Sequence, residues 1–291
     1  MSISYGDKLF YRLNALVLTC ISITCLLPLL HIIALSLSEQ HAIMSGTVTF
    51  WPKGISFESY RMLLYGTNVV RAFLNSIQIT LIGVALSIVF TILAAYPLSR
   101  KVMAGRRFFT LAIIFTMLFN GGLIPAFLIV KSLGLLDSYG AIWLPALIST
   151  FNMLVMRNFF ENLPSELEEA ARMDGCGEWR YLTRIVLPLS LPMLATIALF
   201  YAVTYWNSFF SLLIYVQDID KYNLAVLVQQ MIQSQSVLQE MNNLRPGEQI
   251  MATPEGIKAS GIMVMIIPML AVYPFVQKYF IKGVMIGAIK G

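Results

Sequence analysis

Six of the fifteen acids in this 291-residue chain fall between Glu161 and Glu178, the densest charge in an otherwise apolar sequence. Carboxylates at that density suit general acid–base work only when a nucleophile, a base or a metal is held against them. The sequence offers none. His31 and His41 have no ligand partner at metal spacing, and Cys20, Cys25 and Cys176 make neither a metal set nor a disulfide framework. No Gly-x-x-x-x-Gly-Lys-Ser/Thr phosphate loop occurs, so the chain is not an ATPase by that route. Glu166, Glu168 and Glu169 therefore read as a solvated helix face whose acids serve docking. A second constellation, Tyr201, Tyr205, Trp206 and Asn207 with Thr204 and Ser208, sits in the middle of an apolar run. Aromatic faces stack on sugar rings while amides and hydroxyls bond sugar hydroxyls, so this band suits a carbohydrate passage. An inter-helix packing seam is the competing account.

The acidic stretch reads as two short helices with a bend. Pro164-Ser165 marks a start, and Ser165 with Glu168 has the spacing of a capping box. Glu168 and Arg172 stand four apart in the favourable order for an ion pair, with Leu167, Ala170 and Ala171 to one side. Asp174-Gly175 ends the first helix, since glycine accepts a left-handed cap. A second helical pattern runs from Glu178 to Val186, and Pro188 stops or kinks it.

The surrounding elements are membrane spans. The chain is 58% hydrophobic and 12% charged, with mean hydropathy +0.74, about half the charge of an average soluble domain. Six charge-free windows are long enough to cross the hydrocarbon: Leu13–Ser38, Ala72–Ser99, Phe108–Val130, Ser138–Met156, Ile185–Gln217 and Ala259–Gln277. Tyr222–Gln239 is too rich in Gln, Asn and Ser to count. The fold class is all-α integral membrane, with six transmembrane helices and the bent pair between the fourth and fifth. The first window is taken as an uncleaved helix rather than a signal peptide. Asn120-Gly121-Gly122 and Pro125 interrupt the third window, as at breaks that line a solute path or as plain close packing. With the N-terminus inside, 13 of the 20 Lys and Arg residues fall on the inner side, which puts both termini and the bent pair in the cytoplasm. The net charge of +5 comes without a basic–aromatic run, so no nucleic-acid partner is expected.

Glu169-Ala170-Ala171, three residues, Gly175, nine residues, then Ile185-Val186-Leu187-Pro188 resembles the EAA signature of the membrane subunits of bacterial ABC importers. Cys176 departs from it, where members often carry alanine. The resemblance implies that Glu169, Ala170, Ala171, Asp174, Gly175, Ile185, Leu187 and Pro188 form a coupling segment inserted in a cytoplasmic ATPase. It implies no cofactor in this chain, with ATP and Mg bound by a dimer of ABC ATPases. It also implies a second homologous permease, an extracytoplasmic solute-binding protein, membrane lipid around the spans, and a place in the bacterial cytoplasmic membrane. The segment after Asp218 is similar in location to the outer loop of maltose-type permeases that reaches the binding protein, and the tail from Val276 to Gly291 is similar to that of six-helix carbohydrate permeases. Phe119–Pro125 with Lys131-Ser132-Leu133-Gly134 looks like the branch that imports oligosaccharides from complex polysaccharides. On that reading 1–71 is the first span and outer loop, 72–283 the permease core and 284–291 a cytoplasmic tail, with Asn120, Tyr201, Tyr205, Trp206 and Asn207 on the translocation path. An ion-coupled secondary transporter is the alternative, but such proteins keep ionisable groups within their spans, and none of the six windows holds an Asp, Glu, Lys or Arg.

Overall fold

A computed structural model describes residues 5–119, 121–233 and 253–288, and among them no strand forms beyond a single Ser38–Ile55 bridge. The helices are α1 (Tyr5–Ser36), α2 (Gln40–Met44), α3 (Glu58–Gly66), α4 (Val69–Ser99), α5 (Arg106–Leu118), α6 (Leu123–Ser132), α7 (Gly140–Trp143), α8 (Thr150–Glu161), α9 (Ser165–Met173), α10 (Glu178–Tyr181), α11 (Leu187–Leu189), α12 (Leu191–Trp206), α13 (Phe209–Tyr215), α14 (Leu224–Gln233) and α15 (Pro254–Ala288). A π turn over Leu182–Val186 joins α10 to α11.

The chain divides into two units, Met1–Val70 with Val228–Ile267, and Arg71–Leu227 with Pro268–Gly291. In the first, α1 is apolar on every side and its spanning window buries nothing within the chain. That pattern belongs to a helix whose solvent is lipid. Two of its hydroxyls bond back to the helix's own carbonyls, Ser22 donating to that of Leu18 at 2.8 Å and Thr24 to that of Cys20 at 2.9 Å. Cys20 and Cys25 lie exposed on this helix. His31 Nδ1 donates to the Thr49 carbonyl at 2.7 Å, the hydrogen-bonding role expected of a lone histidine. Gly256 lets α15 meet Ser59 and Ile43, since a Cβ there would lie 2.5 Å from the Ser59 hydroxyl.

The second unit is a core of α4, α7, α8, α12 and α13 packed around Ile79, Met153, Met156, Ile197, Tyr201 and Tyr205. Three described helices are long and apolar enough to cross a membrane: Gly6–Ser36, Val69–Ser99 and Pro254–Pro274. If each bent pair counts as one span, α5 with α6, and Glu178–Leu189 with α12 across an 80° bend, the number among the described residues rises to five. The expected fourth window, Ser138–Met156, is not a continuous helix. It breaks into the four-residue α7 and the twelve-residue α8. Pro145 between them has no N–H to give a helical ladder, and Ser149 caps α8 by accepting from the Asn152 amide. Pro188 does not end the α10 pattern. The helix widens into the π turn just before it, and the chain turns at Ser190, whose hydroxyl bonds the Val186 carbonyl at 2.6 Å. α14 covers Leu224–Gln233 among the described residues, and the rest of the Tyr222–Gln239 window lies outside them. α15 runs on through Gly283, so the first residues of the expected tail are helical; Ile289–Gly291 lie outside the described residues.

Candidate coupling site

The acidic segment folds as two short helices crossing the C-terminal end of α4. α9 ends where the sequence puts its end: Asp174 is the C-cap, Gly175 adopts φ +70°, and the Cys176 amide donates to the Ala171 carbonyl at 2.9 Å. The capping box does not form. Pro164 takes the N-cap position, which makes Ser165 the first helical residue and leaves its hydroxyl no cap bond to make. Glu168, freed from that role, is drawn inward. Its carboxylate takes both guanidinium nitrogens of Arg100, Nη1 at 2.7 Å and Nη2 in a short second bond, and also pairs with Arg172 at 2.9 Å. The acids of α9 are therefore not one solvated face: Glu166 and Glu169 stay exposed, and Glu168 is part-buried.

Arg100 is the centre of this arrangement. Its guanidinium lies 5.6 Å from the centre of the Tyr96 ring and 5.3 Å from that of Tyr181, within cation–π range of both. It reaches Glu178 Oε1 at 3.4 Å, and the Tyr96 hydroxyl donates to Glu178 Oε2 at 2.7 Å. Burial pulls the Arg100 pKa down, and the hydrogen bond to Glu168 with its acidic surroundings raises it by more, so the side chain stays charged. A second cluster braces the neighbouring helices. Arg157 donates to Glu161 at 2.8 Å and to the Leu98 carbonyl at 3.0 Å, and Arg106 pairs with Glu161 at 2.5 Å. Two arginines of the basic turn after α4, Arg100 and Arg106, thus bind acids of other elements.

Of the residues the EAA pattern picks out, Glu169, Ala170, Asp174 and Gly175 are exposed, together with Met173 at 88%. Ala171 is buried, while Ile185 and Leu187 pack against the core. Pro188 is exposed beside them. The pattern therefore splits into an outward set along α9 and its turn, and an inward set that holds the elbow.

Tyr201 and Tyr205 do not line an open passage in this chain. They are 2% and 1% exposed and form a seam between α4 and α12. The Tyr205 hydroxyl shares a 2.8 Å hydrogen bond with Ser87, and Tyr201 a 2.7 Å bond with Thr91 while accepting from the Ser149 amide at 2.9 Å. Both hydroxyls are thereby engaged within this chain, between α4, α12 and the turn before α8. Trp206 is also buried, edge-on to Phe73 at 6.1 Å. Asn207 is exposed, its amide donating to the Val203 carbonyl at 2.9 Å. Asn120 lies outside the described residues.

Sequence reasoning missed a clasp at the other end of α4. Asp137, at φ +58°, accepts from the amides of Gln217 and Asp218 at 3.1 and 3.0 Å and pairs with Lys221 at 2.7 Å. Arg71 pairs with Asp220 at 2.9 Å, and the Asn75 amide donates to the carbonyls of Asp220 and Tyr222. The Lys221 hydrogen bond, then the backbone donors, hold the Asp137 carboxyl below the ordinary range, and Asp137 holds Lys221 above its own. Asp-Ser and Asp-x-Asp turn chemistry marks both strands of the clasp in the sequence, but nothing local pairs them. Among the described residues no three His, Cys, Asp or Glu side chains gather as a metal site.

Residues 85–286 match the model of the family described as binding-protein-dependent transport system inner membrane component. The chain is 42% identical to the polygalacturonan/rhamnogalacturonan transport system permease protein YtcP of Bacillus subtilis, over 98% of this chain and 99% of that protein. It is 41% identical to Protein LplC of the same organism, over 98% and 96%. A solved structure of a bacterial ABC transporter involved in the import of the acidic polysaccharide alginate contains a chain that superposes with a TM-score of 0.88 and 34% identity, over 96% of this chain and 99% of that one. An elbow with one face locked to a membrane helix and the other free, on a fold shared with such a transporter, places the chain in the binding-protein-dependent transport system inner membrane component family, the permease subunits of ABC importers.

Proposed function

We propose that the chain forms one half of the pore of an ATP-driven importer of acidic oligosaccharides, with α9 and the Gly175 turn as its contact with a cytoplasmic ATPase. The observation that carries this reading is the division of the EAA segment. Glu166, Glu169, Ala170, Met173 and Gly175 offer a free face, while Glu168 and Ala171 on the opposite side are engaged within the chain. Such a segment passes force only if a partner grips the free face. The partners are a second homologous permease, a dimer of ABC ATPases holding ATP and Mg, a solute-binding protein and membrane lipid. The acidic class is supported by two similar proteins whose names carry polygalacturonan/rhamnogalacturonan and alginate. No Asp or Glu lies in any apolar window to repel a carboxylated solute.

The test is reconstitution of the importer in liposomes with its ATPase, partner permease and binding protein. ATP-dependent uptake of trigalacturonate above that of maltotriose is expected. Preference for the neutral sugar would remove the acidic class, and uptake indifferent to ATP would remove the whole reading. Glu169→Lys is expected to abolish ATP-driven uptake while the permease still inserts.

A further inference from the structure

We infer that Arg100 is the positioning residue through which displacement of the α9–α10 segment reaches α4, and through α4 the tyrosines of α12. The inference rests on the coupling role proposed above and names the route that motion takes. Arg100 leaves the last turn of α4 and binds both short helices at once, Glu168 on α9 by two parallel bonds and Glu178 at the start of α10. Tyr96, one turn earlier on α4, adds a 2.7 Å bond to Glu178. Two rings, Tyr96 from α4 and Tyr181 from α10, lie within cation–π distance of the guanidinium. Arg172 touches the same two carboxylates at 2.9 and 3.3 Å, but it belongs to α9 and ties the segment only to itself. Arg157 and Arg106 pair with Glu161 on α8, and Arg157 also donates to the Leu98 carbonyl of α4, none of which reaches the short-helix pair.

From Arg100 the path is a rigid element. Thr91 and Ser87 lie nine and thirteen residues up α4, about 13 and 20 Å at 1.5 Å per residue. Their hydroxyls hold Tyr201 and Tyr205 of α12 at 2.7 and 2.8 Å. Gly83 completes the seam, because a Cβ there would stand 2.8 Å from the Tyr205 ring. A tug on α9 therefore arrives at α12 as movement of α4 through side chains in direct contact. The fork geometry matters: a lysine cannot make two parallel bonds to one carboxylate while lying flat between two rings.

Spin labels at Arg180→Cys on α10 and Val89→Cys on the exposed side of α4, in the assembled importer, test this. In the native background their separation is expected to be the same before and after trapping with ATP and vanadate, because both elements move as one body. In Arg100→Lys and in Arg100→Ala the separation is expected to change on trapping, with ATPase activity retained and trigalacturonate uptake per ATP down about tenfold, the scale of an ordinary coupling free energy. The exchange Arg100→Glu with Glu168→Arg should recover part of that loss. A separation that changes already in the native protein, or that stays constant in both Arg100 variants with uptake intact, overturns the inference. Failure of both single variants to assemble also overturns it, by marking Arg100 as structural only. An importer that traps no nucleotide sinks the coupling role itself, whereas one that traps and moves regardless of Arg100 sinks only this route.

Discussion

Gly175 stands at φ +70° with no atom within 4 Å of where a Cβ would project. A side chain there meets nothing in this chain, so its effects come from backbone strain and from whatever grips α9. Asparagine tolerates the left-handed region, whereas a β-branched residue loses about 1–2 kcal/mol. Gly175→Asn is therefore expected to fold with a near-native melting temperature, and Gly175→Val to melt lower and lose ATPase association. If Asn also folds and yet blocks association, the turn is a contact surface as well as a hinge. The Asp137–Lys221 pair carries a pH window. The folded pKa of Asp137 is depressed, so its contribution is present above the unfolded value of about 4 and is lost as pH falls through the folded value. That of Lys221 is raised, so its contribution is complete below about 10.4 and is lost as pH rises through the folded value. Hydrogen exchange at the Gln217 and Asp218 amides, corrected for its intrinsic pH dependence, should show constant protection from pH 5 to 9 and lose it in Asp137→Asn at every pH. Loss of protection near pH 6 in the native protein would show that another group governs the clasp. Gly175 was legible in the sequence because a helix cap is local. Arg100–Glu168 spans 68 residues and Asp137–Lys221 spans 84, and charge placement alone brings such groups to one side of a membrane without choosing partners.

α4 and α12 meet along a stripe four residues apart on α4: Gly83, Ser87 and Thr91. Glycine there admits the Tyr205 ring, and the two hydroxyls end the tyrosines' hydrogen-bonding needs without water. Tyr205→Phe deletes one such bond and is expected to cost about 0.6–1 kcal/mol. Gly83→Val forces the ring away and should cost more, since the clash is with Cδ2 and Cε2 of the rigid ring at 2.8 Å and with Cγ at its base at 2.9 Å rather than with a flexible end. Thermal unfolding in detergent should rank native above Tyr205→Phe above Gly83→Val, with the solute preference of Tyr205→Phe unchanged. A changed preference would return Tyr205 to the solute path. The apolar windows located α1, α4 and α15 well, because each is one unbroken helix. They failed over Ser138–Met156, where proline and a serine cap divide a run whose composition alone looks continuous. The band on α12 was visible as an aromatic–hydroxyl cluster, but its partners sit on α4, more than a hundred residues away, so composition could not separate a passage from a seam.

Sidedness belongs to the whole molecule. The two ionic clusters lie at opposite ends of α4, with Arg71 and Arg100 twenty-nine residues apart, roughly 44 Å at 1.5 Å per residue and more than the hydrocarbon thickness of about 30 Å. One cluster must then face each aqueous side if α4 crosses the membrane. The Lys and Arg bias predicts the Arg100 end in the cytoplasm and the Asp137–Lys221 clasp outside, an orientation that we propose and that cysteine labelling tests. In an otherwise cysteine-free importer, Arg180→Cys on α10 is expected to resist a membrane-impermeant maleimide in intact cells and to react in inverted vesicles. Asp220→Cys is expected to do the reverse. Reaction of Arg180→Cys from outside would put the α9–α10 segment beyond the reach of any cytoplasmic ATPase, and with it would go the lever from α9 through Arg100 to α4, whatever solute the pore carries.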